Sequence, residues 1–194
     1  CVFTDGKSQI TYGGAINLDS TNPVISNSAF YKNQSASGGV LYSDNSQPRI
    51  ENSYFARNDG QSGGVFYLFN SSPIIQNCAF EKNGAKRGGA IYSRDSDFTL
   101  STSEFYLNNA NLDGGVLYST GSNINIKNCI LNSNSALKSG GLLASKGSRL
   151  FIQNVTAVNF VAPTFDDFIY LIGTSNVEVK NSILWADVSN YKSA

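Results

Sequence analysis

Short runs of alternating apolar and polar residues recur along the whole chain, each closed by Asn, Ser or Thr. They read PVISN at 23–27, PRIEN at 48–52, PIIQN at 73–77, FTLST at 98–102, INIKN at 124–128, LFIQN at 150–154 and VEVKN at 177–181. Alternation of this length predicts short half-buried strands. A second signal places an apolar residue three positions before Asn: Phe30 to Asn33, Phe55 to Asn58, Phe80 to Asn83, Phe105 to Asn108 and Leu131 to Asn134. A third is a glycine doublet followed by apolar residues, at 13, 38, 63, 88, 114 and 140, in steps of 25, 25, 25, 26 and 26. Three signals sharing one period define a repeat. Each unit is too short and too polar to hold a crossover helix. If each makes one turn of a coil, equivalent positions stack at the strand spacing of about 4.8 Å. The expected fold is an all-β parallel β-helix of about seven coils of 25–27 residues, with three short strands per coil, and residues 1–194 form a single solenoid segment.

Down such a stack the repeat becomes columns of like residues. Ile25, Ile50, Ile75, Leu100, Ile126, Ile152 and Val179 form an aliphatic column, and Phe3, Phe30, Phe55, Phe80 and Phe105, continued by Leu131, an aromatic one. Both are expected inside, with the rings stacking from coil to coil. Asn27, Asn52, Asn77, Asn128, Asn154 and Asn181, with one Thr102, fall where the strand must bend. Amides stacked there can donate and accept between coils, so this column is the expected inner asparagine ladder. Asn45, Asn70, Asp95, Gly121 and Gly147, each followed by Ser, mark a tight turn with a left-handed backbone.

Composition narrows the chemistry. The 194 residues carry 14 basic and 14 acidic side chains, a formal charge of zero, and no histidine. A neutral chain lacks the field that draws nucleic acid or an anionic membrane surface. The absence of histidine excludes Ser/His/Asp and Cys/His catalysis and imidazole-ligated metals. No cofactor is expected, and no stretch approaches the roughly 20 apolar residues of a membrane span.

The pairing of GGAI-type tetrapeptides, such as Gly13 to Ile16 and Gly88 to Ile91, with FxxN tetrapeptides, such as Phe30 to Asn33 and Phe55 to Asn58, resembles the repeats of chlamydial polymorphic outer membrane proteins. The resemblance implies a right-handed β-helix, a place outside the cell or on its surface, and adhesion to other cells. Phe160, standing where the FxxN Asn is due, and the loss of the glycine doublet at Asp166 depart from that pattern.

The residues that could carry function are few. Cys1, Cys78 and Cys129 share one column but lie two or more coils apart, beyond the roughly 7 Å reach of a disulfide, and read as thiols standing in for serine. Sequons stand at Asn33, Asn70 and Asn154. Asn70, on an outward turn, is the favoured acceptor, and all three matter only in a eukaryotic source. Tyr42, Tyr67, Tyr92 and Tyr118, with Tyr170, form a column on which sugar rings could stack if it faces outward, although a packed stack is the plainer reading. Lys32, Arg57 and Lys82 form a like-charged column read as a solvated face. Asp166 and Asp167, with Asp113, are the nearest approach to a lyase or hydrolase site. Both chain ends fall in mid-coil, so the expected partners are further coils of a longer solenoid or copies of the chain end to end, and beyond them cell-surface proteins or glycans. The leading expectation is a non-catalytic extracellular shaft, with a polysaccharide-active or glycan-binding β-helix as the alternative.

Overall fold

The computed structural model describes residues 1–161 and 168–185. Every named element is a strand, and every strand pairs in parallel with its counterpart one coil away. The register is that of the repeat: Phe30 lies against Phe55 and Phe55 against Phe80, while Ile50 lies between Ile25 and Ile75. About seven turns result.

There are four sheets rather than three. In chain order one coil contributes to a Phe sheet (Tyr54–Ala56), a small-residue sheet (Asp59–Ser62), a Tyr sheet (Phe66–Phe69) and an Ile sheet (Ile74–Gln76). The small-residue sheet is the unexpected one. Its strands, QSAS, DGQS and GAKR among them, have no apolar alternation to announce them. Their inward residues, Ser35, Gly60, Ala85, Ala110 and Ala136, are buried but small.

Four sheets require four corners, and each corner turns through one residue with positive φ. These are the Asn27 column after the Ile sheet, the Lys32, Arg57 and Lys82 column after the Phe sheet, the first glycine of each doublet, and the Asn45 column after the Tyr sheet. A left-handed residue turns its own side chain out to solvent and its successor inward. At the glycine corner no side chain fits: a Cβ on Gly64 would lie 2.2 Å from the carbonyl oxygen of Gly89 in the next coil.

The interior is a stack of columns. The rings of Phe30, Phe55, Phe80 and Phe105 are at most 1% exposed, and with Phe3, which is 38% exposed at the end of the stack rather than inside it, they lie 4.4–5.0 Å apart and within 15° of parallel. Phe66, from the Tyr sheet, meets Phe55 and Phe80 edge-on at 4.9 and 5.6 Å. Each such buried ring contributes roughly 2–3 kcal/mol through the hydrophobic effect.

The continuous asparagine ladder runs through a different column from the expected one. Asn33, Asn58, Asn83, Asn108 and Asn134, the FxxN residues, are at most 1% exposed. Asn83 Oδ1 accepts from both the backbone N–H and the Nδ2 of Asn58, each at 3.0 Å. Asn83 Nδ2 in turn donates to Phe55 O and to Asn108 Oδ1, both at 2.9 Å. One amide thus ties three coils. Asn27, Asn52, Asn77, Asn128, Asn154 and Asn181 are exposed, with φ of 46–53°. They supply the left-handed corner and only an intermittent outer ladder, through Asn77 to Asn52 and Asn154 to Asn128. Asn154 is therefore not an inner residue. The inner ladder stops at Asn134, because Phe160 fills the next position as a buried apolar residue.

Serine repeats the device at two other corners. Ser46 N donates to Ser71 Oγ and Ser71 N to Ser96 Oγ, while each hydroxyl donates to the carbonyl two residues back. Among the described buried side-chain polar atoms only Ser119 Oγ lacks a partner.

Asn83→Ala strands the N–H and Nδ2 of Asn58 and the carbonyl of Phe55, so we expect a loss of about 3 kcal/mol or more. Asn52→Ala removes only an exposed corner residue suited to positive φ, and should cost about 1 kcal/mol. Denaturant midpoints of the two variants beside the parent chain check the ordering.

Candidate functional site

In the Tyr sheet, Leu41, Phe66, Ile91, Leu117 and Leu143 point inward and are at most 1% exposed, which turns Tyr42, Tyr67 and Tyr92 outward as half-buried rings. Tyr118 is buried. The four rings stack on one another, with centroids 5.3, 4.9 and 5.2 Å apart and planes 18°, 6° and 21° from parallel. Tyr12 extends the stack below, 4.1 Å from Tyr42. Sugars stack on the faces of aromatic rings, and here the interior faces are taken by the next tyrosine. What the column offers outward is edges and hydroxyls, so the reason for expecting glycan stacking on it falls away. Burial first, then the Asp44 carboxylate, pushes the Tyr42 hydroxyl up to about 12.

Asp113 carries less catalytic promise than its type suggests. It is 7% exposed and accepts from Arg87 Nε at 3.1 Å, and the Arg87 guanidinium lies 5.5 Å from the Tyr118 ring centre. The basic partner that the repeat columns did not reveal is thus Arg87, on the preceding coil. The pair closes a bulge in which the five-residue strand Asn109–Asp113 lies beside the four-residue strand Gly84–Arg87. This is where the coil lengthens from 25 to 26 residues. Asp166 and Asp167 lie outside the described residues. Among the described residues no group of three or more His, Cys, Asp or Glu could hold a metal ion.

Cys78 and Cys129 are buried and Cys1 is exposed, and all three are unpaired. Each buried thiol occupies a serine-ladder position and makes the ladder's bond, Cys78 Sγ donating to Gln76 O and Cys129 Sγ to Lys127 O, both at 3.2 Å. Burial pushes both thiols up to about 11. They are packing residues with almost no thiolate near neutral pH.

The sequons divide by burial. Asn33 sits in the inner ladder with no solvent contact, which removes it as an acceptor in the folded chain, whereas Asn70 and Asn154 are exposed corner residues. Lys32, Arg57 and Lys82 are exposed as well, and Lys82 Nζ donates to Glu81 at 2.8 Å. On the same outer face the Tyr54 hydroxyl donates to the Glu81 carboxylate, and the ring meets Tyr31 edge-on at 5.5 Å. Burial, followed by that bond, pushes the Tyr54 hydroxyl up to about 12, while Lys82 and then Tyr54 hold Glu81 below the usual carboxylate range. Tyr54 was not singled out by the repeat because its column, Ala29, Tyr54, Ala79, Glu104, has no common residue type.

A groove of about 770 Å³ runs along the corner between the Ile and Phe sheets, walled by Asn27, Asn52, Asn77 and Thr102 and floored by Ala29, Tyr54 and Ala79. Its long direction follows the coil stack. Among the described residues no helix is long and apolar enough to cross a membrane.

Two outcomes follow from these titrations. A thiol reagent near neutral pH should label Cys1 at once and Cys78 and Cys129 only as the coils open, so mass spectrometry should find one fast and two slow sites. For tyrosine, the fold raises the pKa of Tyr42 and Tyr54 and so favours their neutral forms. Their stabilisation is full below about pH 10 and is lost as pH rises through about 12. Thermal midpoints should fall across that window together with the rise of tyrosinate absorbance, and Tyr42→Phe should flatten the fall.

No curated protein and no solved structure matches the chain. A family model described as a right-handed β-helix region matches residues 1–184. That span takes in every column described above, and the chain belongs to the right-handed β-helix family.

Proposed function

We propose that the chain is a non-catalytic, extracellular β-helix, a length of the shaft of a cell-surface adhesin or filament. One observation carries this reading: the inward-facing polar residues of the repeat are used up by the coil stack itself. The FxxN asparagines, the corner serines and the glycine doublets all face the neighbouring coil, and the tyrosines face one another. A repeat selected for its columns specifies length and rigidity rather than a reaction centre. Asp113, the one buried carboxylate among the described residues, is paired with Arg87 and closes a bulge. The GGAI and FxxN tetrapeptides support the surface assignment by their likeness to chlamydial-type outer membrane repeats. In a eukaryotic source, the exposed turn at Asn70 is the position suited to carry a glycan.

Two measurements test this. Antibodies to the chain should label intact source cells, and electron microscopy of the native protein should show continuous rods. Incubation with pectin and other polyuronides should release neither new reducing ends nor unsaturated products. Release that disappears in Asp113→Asn would overturn the proposal in favour of a polysaccharide-degrading enzyme.

A further inference from the structure

We infer that the groove between the Ile and Phe sheets is a binding site for an extended, uncharged oligosaccharide lying parallel to the helix axis, with Tyr54 as its stacking platform.

Tyr54 differs from the ladder tyrosines in the feature that matters for sugars. Its only aromatic neighbour among the described residues, Tyr31, meets it edge-on at 62°, so no second ring is stacked on its face. Alanines at the equivalent positions of the coils below and above, Ala29 and Ala79, leave a hollow on both sides of it. The bond from its hydroxyl to Glu81 fixes the ring, so little rotamer entropy remains to be lost on binding. A rigid, open-faced aromatic in a concave site is the arrangement on which the apolar face of a pyranose packs.

The wall supplies the polar half. Asn77 Nδ2 donates to Asn52 Oδ1 at 2.5 Å, which leaves the Asn52 amide hydrogens and the Asn77 carbonyl oxygen for a ligand. An amide presents both donors and acceptors, the complement of sugar hydroxyls, which do both themselves. These amides recur at the coil spacing of about 4.8 Å. One pyranose of an extended chain is of similar length, so successive sugars meet successive coils in similar surroundings.

Charge selects the class of ligand. The groove walls carry no lysine or arginine, and Glu104 is the one carboxylate side chain that lines them. Glu81, beyond the ring, is already engaged by Lys82 and Tyr54. The cationic column of Lys32, Arg57 and Lys82 stands at the opposite end of the Phe-sheet strands, where Lys32 and Arg57 line a separate hollow at the hydroxyl end of Tyr54. A polyuronide would bring several negative charges against Glu104 with only the Cys1 α-ammonium, which donates to Asn27 O at 3.2 Å, to balance them, whereas a neutral glycan loses nothing there.

The site is independent of the shaft assignment, since rods exist both bare and decorated. Titration calorimetry of the intact chain with cellohexaose and with oligogalacturonate tests it. Saturable binding of cellohexaose, absent for oligogalacturonate, is expected. Tyr54→Ala should weaken it about tenfold, the value of one lost aromatic contact. Ala79→Leu, which fills the hollow without touching a core column, should abolish binding while circular dichroism stays that of the parent. Tyr42→Ala should leave affinity unchanged. Affinity indifferent to both Tyr54→Ala and Ala79→Leu, preference for the uronide, loss on Tyr42→Ala, or no binding of cellohexaose or of other neutral oligosaccharides in an array would each overturn the assignment. Even then the rods seen by microscopy would stand.

Discussion

The backbone N–H that follows each left-handed corner residue is the group on which this fold depends. A chain that turns four times per coil carries four such donors into the interior, where water cannot reach them and each unsatisfied one costs about 1–3 kcal/mol. At its regular positions the repeat meets them from the neighbouring coil, and the pattern lapses where Val155 and Phe160 replace the serine and asparagine acceptors. After the Lys32-type corner the acceptor is an asparagine Oδ1, and after the Asn27- and Asn45-type corners it is a serine Oγ. After the first glycine it is a carbonyl oxygen of the chain itself, Gly64 N donating to Gly88 O. The residue after the corner is therefore chosen by the hydrogen bond it must accept, and the glycine doublet is what remains when that acceptor is backbone.

This also explains where the strongest acceptor stands. Lys32, Arg57, Lys82 and Leu107 hold φ of 53–55°, a conformation such residues adopt at a cost of about 1–2 kcal/mol each. The amide that ties three coils follows directly after them. Asn, Asp and Gly take the left-handed conformation more readily at the other corners, and there a single hydroxyl suffices.

The period, the parallel stacking, the Phe and Ile columns and the glycine corner were all legible in the sequence, because each repeats one residue type at one interval. Two features were not. The fourth strand was missed because its inward side chains are small and its outward ones varied, so neither alternation nor apolar runs mark it. The ladder was placed one corner too early because two asparagine columns share the period. Asn52 and Asn58 differ only in that Asn52 is itself the turning residue and Asn58 follows one, and a lysine or arginine does not advertise positive φ. The orientation of the tyrosines was ambiguous for a related reason, both neighbouring columns being apolar, until inward Leu41, Phe66 and Ile91 decided it.

The candidate site was the least legible part, and the cause is physical. In a stack that joins like to like, a residue that recurs in every coil meets its own copies, as the phenylalanines, serines and tyrosines do, and its recognition capacity is spent there. Individual chemistry arises where a column breaks. Tyr54 between two alanines leaves a ring face uncovered, and the extra residue of Asn109–Asp113 brings Arg87 and Asp113 together. Sequence columns locate the scaffold by regularity, and the same reading inverted, which searches for the single odd residue on an outward face, locates the positions where a solenoid of this kind can bind something other than itself.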